Sequence, residues 1–309
     1  MSTCEPPTWM GPSSDPNDKQ FGDVIEPTTL DVVGEFDAVL VGEPYDGAVI
    51  GRRGAREGPA ALRAELAGIK THHFASDPVA SIGDIGDVEV PDDSVDVGTT
   101  QATVREHTRA IHAHDILPVF LGGDNSLTYP NVAPLLSESV GVISFDAHLD
   151  CREVRKEPTS GTPYRQLYED GLDAFAVLGA RHFETSSAYA EYVGEQGGTI
   201  ITSEAVGSEP ENGAERALDV MAGVDRVYVS VDLDCLDATA APGVSAPTPG
   251  GLSTRELFET LRYVAADDRV AGFEVVECAP PLDRDGRTAA AGARAVAHLL
   301  AGYDGGTDE

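Results

Sequence analysis

The sequence predicts one α/β domain in which helices cover both faces of a central, mostly parallel sheet of about eight strands. Short apolar runs alternate with longer amphipathic stretches along the chain, a pattern typical of strand–helix units. The 309 residues suffice for one large domain, and neither an internal repeat nor a linker divides them. We therefore expect a three-layer αβα fold.

The apolar runs place the strands, and the amphipathic stretches between them place the helices. The predicted strands cover residues 36–42, 81–85, 116–121, 141–145, 174–178, 199–201, 226–231 and 270–276. The predicted helices cover residues 58–67, 98–114, 127–136, 162–170, 184–196, 211–222, 253–265 and 287–301. The helix at 253–265 begins with Ser-Thr-Arg-Glu, the pattern of a capping box.

The two ends of the chain differ from the domain at 31–303. Residues 1–30 are rich in Pro, Ser and Asp and predict an extended arm with an anchor at Trp9, while residues 304–309 predict a polar tail. The N-terminus lacks a basic-then-apolar signal pattern, and no run approaches the roughly 18 apolar residues that span a bilayer. These features predict a cytoplasmic protein.

The chain is strongly acidic, with 53 acidic and 21 basic residues and a net charge of −32. The acids are scattered and form no long block, which favours a solvated acidic surface suited to high salt over a site for a cationic partner. This balance argues against nucleic-acid binding, which requires phosphate neutralisation. The four cysteines show no CxxC spacing, so they predict small buried side chains and no disulfide framework.

Metal-ligand side chains follow two of the predicted strands. Asp146, His148 and Asp150 come after the run 140–145, and Asp232 and Asp234 come at the end of a second run. Side chains alternate along a strand, so each set is expected to share one face. Four carboxylates and one imidazole repel each other unless cations lie between them, and such ligands suit divalent ions such as Mn²⁺. The pattern predicts a two-metal hydrolytic site.

A simpler interpretation is that these acids merely cap the next helix. One acid would fit that role, but three ligand-type residues at a strict period of two do not. Ligands in open α/β sheets bind beyond the carboxyl ends of the strands, where the run Gly-Gly-Asp-Asn-Ser at 122–126 and Glu277 are also predicted to lie. Polar residues at four strand ends therefore favour a site.

Three runs in this order resemble the signatures of the ureohydrolases, the family of arginases, agmatinases and formimidoylglutamases. They are Gly-Gly-Asp-Asn-Ser at 122–126, Ser-Phe-Asp-Ala-His-Leu-Asp at 144–150 and Ser-Val-Asp-Leu-Asp-Cys-Leu-Asp at 230–237. The resemblance extends to the runs at 51–59, 241–247 and 274–277 and covers residues 36 to about 300. It implies the arginase-like αβα fold.

Two further runs resemble the formimidoylglutamase branch. They are Asp-Cys-Arg at 150–152 with Ser-Gly-Thr-Pro-Tyr at 160–164, and Val-Ser-Ala-Pro at 244–247. Arginases and agmatinases tend to carry a His at or near Ser160. The resemblance implies hydrolysis of N-formimidoyl-L-glutamate to L-glutamate and formamide in histidine degradation. The alternatives are an agmatinase or other guanidino-compound amidinohydrolase, and a metal-binding protein without turnover.

The resemblance also implies a role for each candidate residue. Two Mn²⁺ ions per subunit would be held by Asp146, His148, Asp150, Asp232 and Asp234. The sixth position, where the family usually has His, is Asn125, an uncharged and weaker ligand. Asp150 would also carry a proton to the departing amine, and Glu277 would pair with the amidine cation.

The substrate implied by this branch carries two carboxylates, which Arg side chains bind in a bidentate manner. Arg152 is the first candidate for this contact because it is close in sequence to the metal ligands, with Arg181, Arg155 and Ser160 as further candidates. Agmatine ends in an amine and would need an acid instead. The resemblance implies a homo-oligomer, a trimer or a hexamer, with no membrane partner.

Overall fold

Nine parallel strands form one sheet in the computed structural model, which describes residues 6–76, 81–92 and 94–303. The strands are Ile25–Pro27 (β1), Ala38–Gly42 (β2), Ile82–Asp87 (β3), Leu117–Leu121 (β4), Val140–Phe145 (β5), Ala174–Ala180 (β6), Thr199–Thr202 (β7), Arg226–Asp232 (β8) and Val270–Val276 (β9). Their order across the sheet is β1-β3-β2-β4-β9-β8-β5-β6-β7, and every neighbouring pair is parallel. The carboxyl ends of all nine strands therefore lie along the same edge of the sheet.

Helices cover both faces of this sheet. They are Gly58–Ala67 (α1), Val97–His112 (α2), Thr128–Val132 (α3), Pro163–Glu169 (α4), Ser187–Glu195 (α5), Ser203–Ser208 (α6), Pro210–Val220 (α7), Thr254–Ala265 (α8) and Arg287–Gly302 (α9). Helices α1 and α6 to α9 pack with one face, while α2 to α5 pack with the other. The expected three-layer αβα architecture is confirmed.

The strands are apolar along their whole length because both faces of the sheet are buried. In β2, Ala38 and Leu40 belong to the core under α1, whereas Val39 and Val41 belong to the core on the opposite face. Each of these side chains is at most 2% exposed. Successive residues of each continuous apolar run thus contact the two helix layers alternately.

All eight predicted strands are present, and β1 is additional. Strand β1 could not be predicted because its three residues, Ile-Glu-Pro, are too short to show a periodic pattern. The helix predicted at 127–136 is also shorter than expected. Helix α3 ends at Val132, and a 3₁₀ segment with Pro134 continues the chain, since proline cannot donate the next helical hydrogen bond.

The N-terminal segment is tied to the domain by several polar contacts, one of which is made by Trp9. Trp9 donates its indole N–H to Asp84 Oδ2 at 2.9 Å. Asp84 is fully buried and also accepts two hydrogen bonds from Arg63 on α1. Farther along, β1 pairs with β3 as the edge strand, so the segment contributes to the sheet. The predicted polar tail lies outside the described residues.

The four central strands, β4, β9, β8 and β5, are adjacent in the sheet although they are far apart in the chain. Each ends in a segment that carries one or more of the predicted site residues. Among the described residues, no helix combines the length and apolar character needed to cross a membrane.

Candidate metal and active site

The candidate site lies at the carboxyl edge of these four central strands. Asn125 follows β4, Glu277 follows β9, Asp232 ends β8, and Asp146 follows β5. Asn125 and Asp146 are fully buried, and Asp232 and Glu277 are at most 3% exposed. The fold therefore brings together four segments that are separated by up to 152 residues in the sequence, the separation of Asn125 and Glu277, whose hydrogen bond joins two of them.

Two groups of three side chains have the geometry to hold a metal ion. Asp146, His148 and Asp234 form one group, and Asp146, Asp150 and Asp232 form the other. In each group one ligand atom per residue lies within 4.8 Å of the others. Asp146 belongs to both groups, so the two positions adjoin each other through a shared carboxylate. Of the six predicted ligands, the five Asp and His residues lie in this cluster.

Turns, and not strand alternation, position these ligands. Strand β5 ends at Phe145, so the expectation that Asp146, His148 and Asp150 share one face of a strand is wrong. Instead, the backbone N–H of His148 donates to Asp146 Oδ1 at 2.6 Å. The N–H of Asp234 donates to Asp232 Oδ1 in the same way, at 2.8 Å. Each aspartate thus orders its own turn with one oxygen and can offer the other to a cation.

Two acids of the site have left-handed backbone conformations, which are unfavourable for residues with a side chain. The φ angle is 36° at Asp150 and 64° at Glu277. Such conformations cost on the order of 1–3 kcal/mol and persist where the surrounding structure enforces them. Here they turn both carboxylates towards the cluster, which is where they meet Asn125.

Burial and mutual repulsion make the acid cluster unfavourable without a cation. Burial raises the pKa of Asp146 well above its usual value, and the charges of Asp150 and Asp234 raise it further. Burial likewise raises the pKa of Asp150 to about 6 and the pKa of Asp232 well above its ordinary value. These carboxylates need positive charge nearby to remain ionised at neutral pH.

The pKa of His148 is also raised, which for an imidazole favours the charged form. Burial lowers its pKa, but hydrogen bonds and charges from Asp146 and Asp234 outweigh this effect and raise it. Its Nδ1 lies 3.1 Å from Asp234 Oδ2 and 3.4 Å from Asp146 Oδ1. On the outer side, Nε2 lies 3.7 Å from Glu184 Oε2. Glu184 is thus placed to orient the imidazole, an arrangement frequent around metal-ligating histidines.

The donor set fits hard divalent cations. Asp146 Oδ2 and Glu277 Oε2 are buried oxygens without a hydrogen-bond partner within the described residues. A buried polar atom normally has a partner because its desolvation is costly. Carboxylate oxygens with one imidazole are ligands that suit Mn²⁺-like ions. An ion near Asp146 would provide the missing partner for its Oδ2.

Asn125 faces the cluster with its amide group. Its Nδ2 donates to Asp150 Oδ2 at 2.7 Å, while Thr128 donates its hydroxyl to Asn125 Oδ1 at 2.6 Å. Its backbone N–H donates to Glu277 Oε1 at 3.0 Å. Asn125 therefore bridges Asp150 and Glu277. In this orientation its side chain, which replaces the usual His of the family, presents an N–H donor and not an acceptor to the acidic cluster.

Arg152 lies at the entrance of the site. It lines a depression of about 240 Å³ together with His148 and Asp150. Its side chain is exposed, and the guanidinium carbon lies 5.8 Å from the centre of the Tyr189 ring. A cation at this position can reach a carboxylate that enters the depression.

Ser160 and Arg181 lie at less accessible places. Ser160 Oγ accepts the backbone N–H of Ile50 at 3.1 Å, so this residue fixes the loop beside the site. Arg181 is 5% exposed and donates to the carbonyls of Asp234, Leu236 and Thr248. Arg181 therefore holds the loop after β8 from behind, and its placement does not support the predicted contact with substrate.

Glu184 and Tyr189 line the same depression but were not predicted from the sequence. The rule that identified the other residues could have found Glu184, because it follows the end of β6 by four residues. Tyr189 lies on α5 and carried no such signal. The three cysteines within the described residues, Cys151, Cys235 and Cys278, are buried and unpaired, as expected.

Comparison with known proteins is consistent with this geometry. The model of the arginase family matches residues 36–302. A formimidoylglutamase from Halobacterium salinarum is 58% identical over 300 residues, which cover 95% of this chain and 97% of that protein. The crystal structure of formimidoylglutamase from Bacillus subtilis has a TM-score of 0.87 at 30% identity and covers 94% of this chain and 93% of that chain.

A second solved structure carries metal. Formiminoglutamase from Trypanosoma cruzi with Mn²⁺ has a TM-score of 0.80 at 26% identity, with 89% of this chain and 98% of that chain covered. The parallel sheet carries a cluster of candidate metal ligands at its edge, and the family model matches nearly the whole chain. Together these features define a metal-dependent hydrolase of the ureohydrolase class. The chain belongs to the arginase family, and the resemblance seen in its motifs is confirmed.

Proposed function

We propose that this hydrolase cleaves N-formimidoyl-L-glutamate to L-glutamate and formamide in histidine degradation. The observation that carries the proposal is a depression in which Arg152 lies beside His148 and Asp150, one member of each candidate metal group. A substrate with an amidine at one end and carboxylates at the other matches these two regions. The 58% identity to a formimidoylglutamase supports the same substrate.

We further propose that the site holds two Mn²⁺ ions. Asp146, Asp150 and Asp232 would hold one, and Asp146, His148 and Asp234 would hold the other. Bound divalent cations would supply Lewis-acid activation of a water molecule and stabilise negative charge as it develops at the reacting carbon. The Mn²⁺ in the Trypanosoma cruzi formiminoglutamase structure supports this choice of metal.

The reaction adds water to the amidine carbon and then breaks the bond from that carbon to the glutamate nitrogen. Glu277 would bind the cationic amidine, because its Oε2 is buried, lacks a hydrogen-bond partner among the described residues and belongs to neither metal group. Asp150 would transfer a proton to the departing nitrogen, and burial already raises its pKa to about 6. Protonation there lets the amine leave as a neutral group.

Arg152 would select among amidines by charge. Its exposed guanidinium at the entrance attracts a substrate carboxylate and repels the ammonium group of agmatine. Discrimination therefore rests on the end of the substrate that does not react. This favours formimidoylglutamate over the alternative of agmatine, although both carry a planar cationic carbon.

The direct test supplies the protein with Mn²⁺ and either formimidoylglutamate or agmatine. We expect release of glutamate and formamide from the first and no urea from the second. The rate with formimidoylglutamate should fall at least tenfold through a higher KM when Arg152 is replaced by Met, since a charged hydrogen bond contributes about 1.5–3 kcal/mol. Urea release from agmatine would contradict the proposal, and inactivity on both would favour a metal-binding protein without turnover.

Asn125→His is expected to tighten Mn²⁺ binding about tenfold or more. Imidazole is a better ligand than an amide for such ions, and the side chain faces Asp150, one of the group with Asp146 and Asp232. Titration of metal-free protein with Mn²⁺ in competition with a chelator measures the change. Asn125→Gln, which keeps an amide, is the control. Equal affinity in both variants would show that residue 125 does not contact the metal.

We also propose that the protein is a homo-oligomer, a trimer or a hexamer, as the family resemblance implies. The substrate is a small molecule that one chain can enclose, since both candidate metal groups and Arg152 belong to a single copy. Association is therefore expected to stabilise the fold and not to complete the site.

A further inference from the structure

A buried hydroxyl group joins the candidate metal site to the interior of the sheet. Thr128 begins α3, three residues after Asn125, and Glu274 lies on β9. All three side chains are fully buried. Thr128 Oγ1 lies 2.6 Å from Asn125 Oδ1 and 2.5 Å from Glu274 Oε1. Neither Thr128 nor Glu274 belongs to the two candidate metal groups or takes part in the reaction proposed above.

Two oxygens compete for the proton of this hydroxyl. A threonine hydroxyl has one proton to donate, although its oxygen can also accept. The distances to Asn125 Oδ1 and Glu274 Oε1 are both those of a strong O–H···O hydrogen bond. Because one proton cannot lie along both lines, one of these oxygens faces Thr128 Oγ1 without a proton between them. Such a contact between buried oxygens is costly.

Glu274 is the stronger of the two acceptors. Asn131 Nδ2 and the Tyr228 hydroxyl both donate to Glu274 Oε2, each at 3.0 Å. Burial raises the pKa of Glu274, but hydrogen bonds from Asn131 and Thr128 oppose this effect. These donors stabilise the carboxylate form, and a carboxylate accepts a hydroxyl proton more strongly than the neutral amide oxygen of Asn125 does. The proton of Thr128 is therefore drawn to Glu274.

We propose that Glu274 and Thr128 are positioning residues that turn the amide of Asn125 into a ligand for a bound cation. Once Thr128 donates to Glu274, its oxygen can only accept from Asn125. A 180° turn of the amide brings Nδ2 to the hydroxyl and Oδ1 to the place where Nδ2 donates to Asp150 Oδ2 at 2.7 Å. The inference rests on the Mn²⁺ site proposed above.

The turn of the amide and the binding of a cation favour each other. After the turn, Asn125 Oδ1 faces Asp150 Oδ2, and two acceptor oxygens repel each other unless a cation lies between them. Before the turn, Asn125 Oδ1 and Glu274 Oε1 compete for the single proton of Thr128. A cation therefore relieves this competition, and the relief adds to its affinity.

Glu274→Gln should reverse the direction of the Thr128 hydrogen bond. The glutamine oxygen takes the end where Asn131 and Tyr228 donate, so its amide nitrogen donates to Thr128. The hydroxyl then donates to Asn125 Oδ1 and holds this oxygen away from the cluster. We expect Mn²⁺ affinity to fall about tenfold, the order of one hydrogen bond to a charged group. The metal-free variant should unfold at an equal or higher temperature, because the competition for the proton has ended.

The hydroxyl itself is tested by Thr128→Val, which keeps the shape of the side chain, and by Thr128→Ser, which keeps the hydroxyl. The valine variant should lose Mn²⁺ affinity about tenfold and the serine variant should retain it. In an Asn125→Ala background, Thr128→Val and Glu274→Gln should each change the affinity less than about twofold, because no amide is left to position. Competition with a chelator measures the affinities, and calorimetry measures the unfolding temperatures.

Opposite changes in affinity and stability distinguish positioning from a general loss of packing, which would lower both. Unchanged Mn²⁺ affinity or a lower metal-free unfolding temperature in Glu274→Gln would overturn the inference. An undiminished effect of Thr128→Val in the Asn125→Ala background would do the same. An unaltered protein that binds no Mn²⁺ would overturn the inference together with the metal site. Affinity is measured without substrate, so a protein that binds Mn²⁺ but does not cleave formimidoylglutamate contradicts only the proposed reaction.

Discussion

Asp146→Asn is expected to abolish Mn²⁺-dependent hydrolysis, with a loss of at least about a thousandfold. Asp146 belongs to both candidate metal groups, so one substitution weakens both positions. The substitution preserves the fold locally because asparagine Oδ1 can still accept the N–H of His148, which Asp146 accepts at 2.6 Å. The expected loss is therefore one of metal affinity and charge and not of local geometry.

The same variant should respond to metal differently from the unaltered protein in thermal unfolding. Without metal, the variant is expected to unfold at an equal or higher temperature, because a buried carboxylate repelled by Asp150 and Asp234 has been removed. With Mn²⁺ at a hundred times its dissociation constant, the unaltered protein should gain about 2.7 kcal/mol per site. The variant should gain little.

Calorimetry with and without a chelator measures both effects. Asp237→Asn is the matched control, since Asp237 lies in the loop after β8, close to the candidate ligand Asp234, but belongs to neither metal group. It should keep the full Mn²⁺-dependent rise whatever its own stability. An Asp146→Asn protein that also keeps this rise would contradict the assignment of the ligands.

The strand ends could be predicted from the sequence because two signals agree there. Continuous apolar runs mark buried parallel strands, and polar residues such as Asp146 and Asp232 mark their carboxyl ends. The order of the strands could not be predicted in this way. That β4, β9, β8 and β5 are adjacent depends on contacts between segments far apart in the chain, which no local pattern encodes.

The orientation of individual side chains was also beyond local patterns. Strand alternation was expected to align Asp146, His148 and Asp150. Instead, a turn after β5 and a left-handed backbone at Asp150 position these side chains. Arg181 has the charge expected of a carboxylate-binding residue, yet it is buried and both of its terminal nitrogens donate to carbonyls of the loop after β8. Residue type indicates what a side chain can bind, whereas packing decides what it can reach.

Glu277→Gln is expected to reduce kcat by about a hundredfold to a thousandfold, comparable to the loss of one preorganised electrostatic contact to a transition state. Glu277 follows β9, belongs to neither metal group and has a buried Oε2 without a partner in the described part of the chain. Glutamine keeps an oxygen that can accept the N–H of Asn125, as Oε1 does at 3.0 Å. Only the negative charge that would face the amidine cation is lost.

This result separates binding of the metal from binding of the amidine. Mn²⁺ affinity of Glu277→Gln should stay within about threefold of the unaltered protein, while Asp146→Asn should lose it. Burial raises the pKa of Glu277 well above its usual value, and the charges of Asp124 and Asp234 raise it further. Removing this charge should therefore also raise the unfolding temperature of the metal-free protein. Loss of metal affinity in Glu277→Gln would make Glu277 a ligand, and an unchanged kcat would exclude it from the reaction.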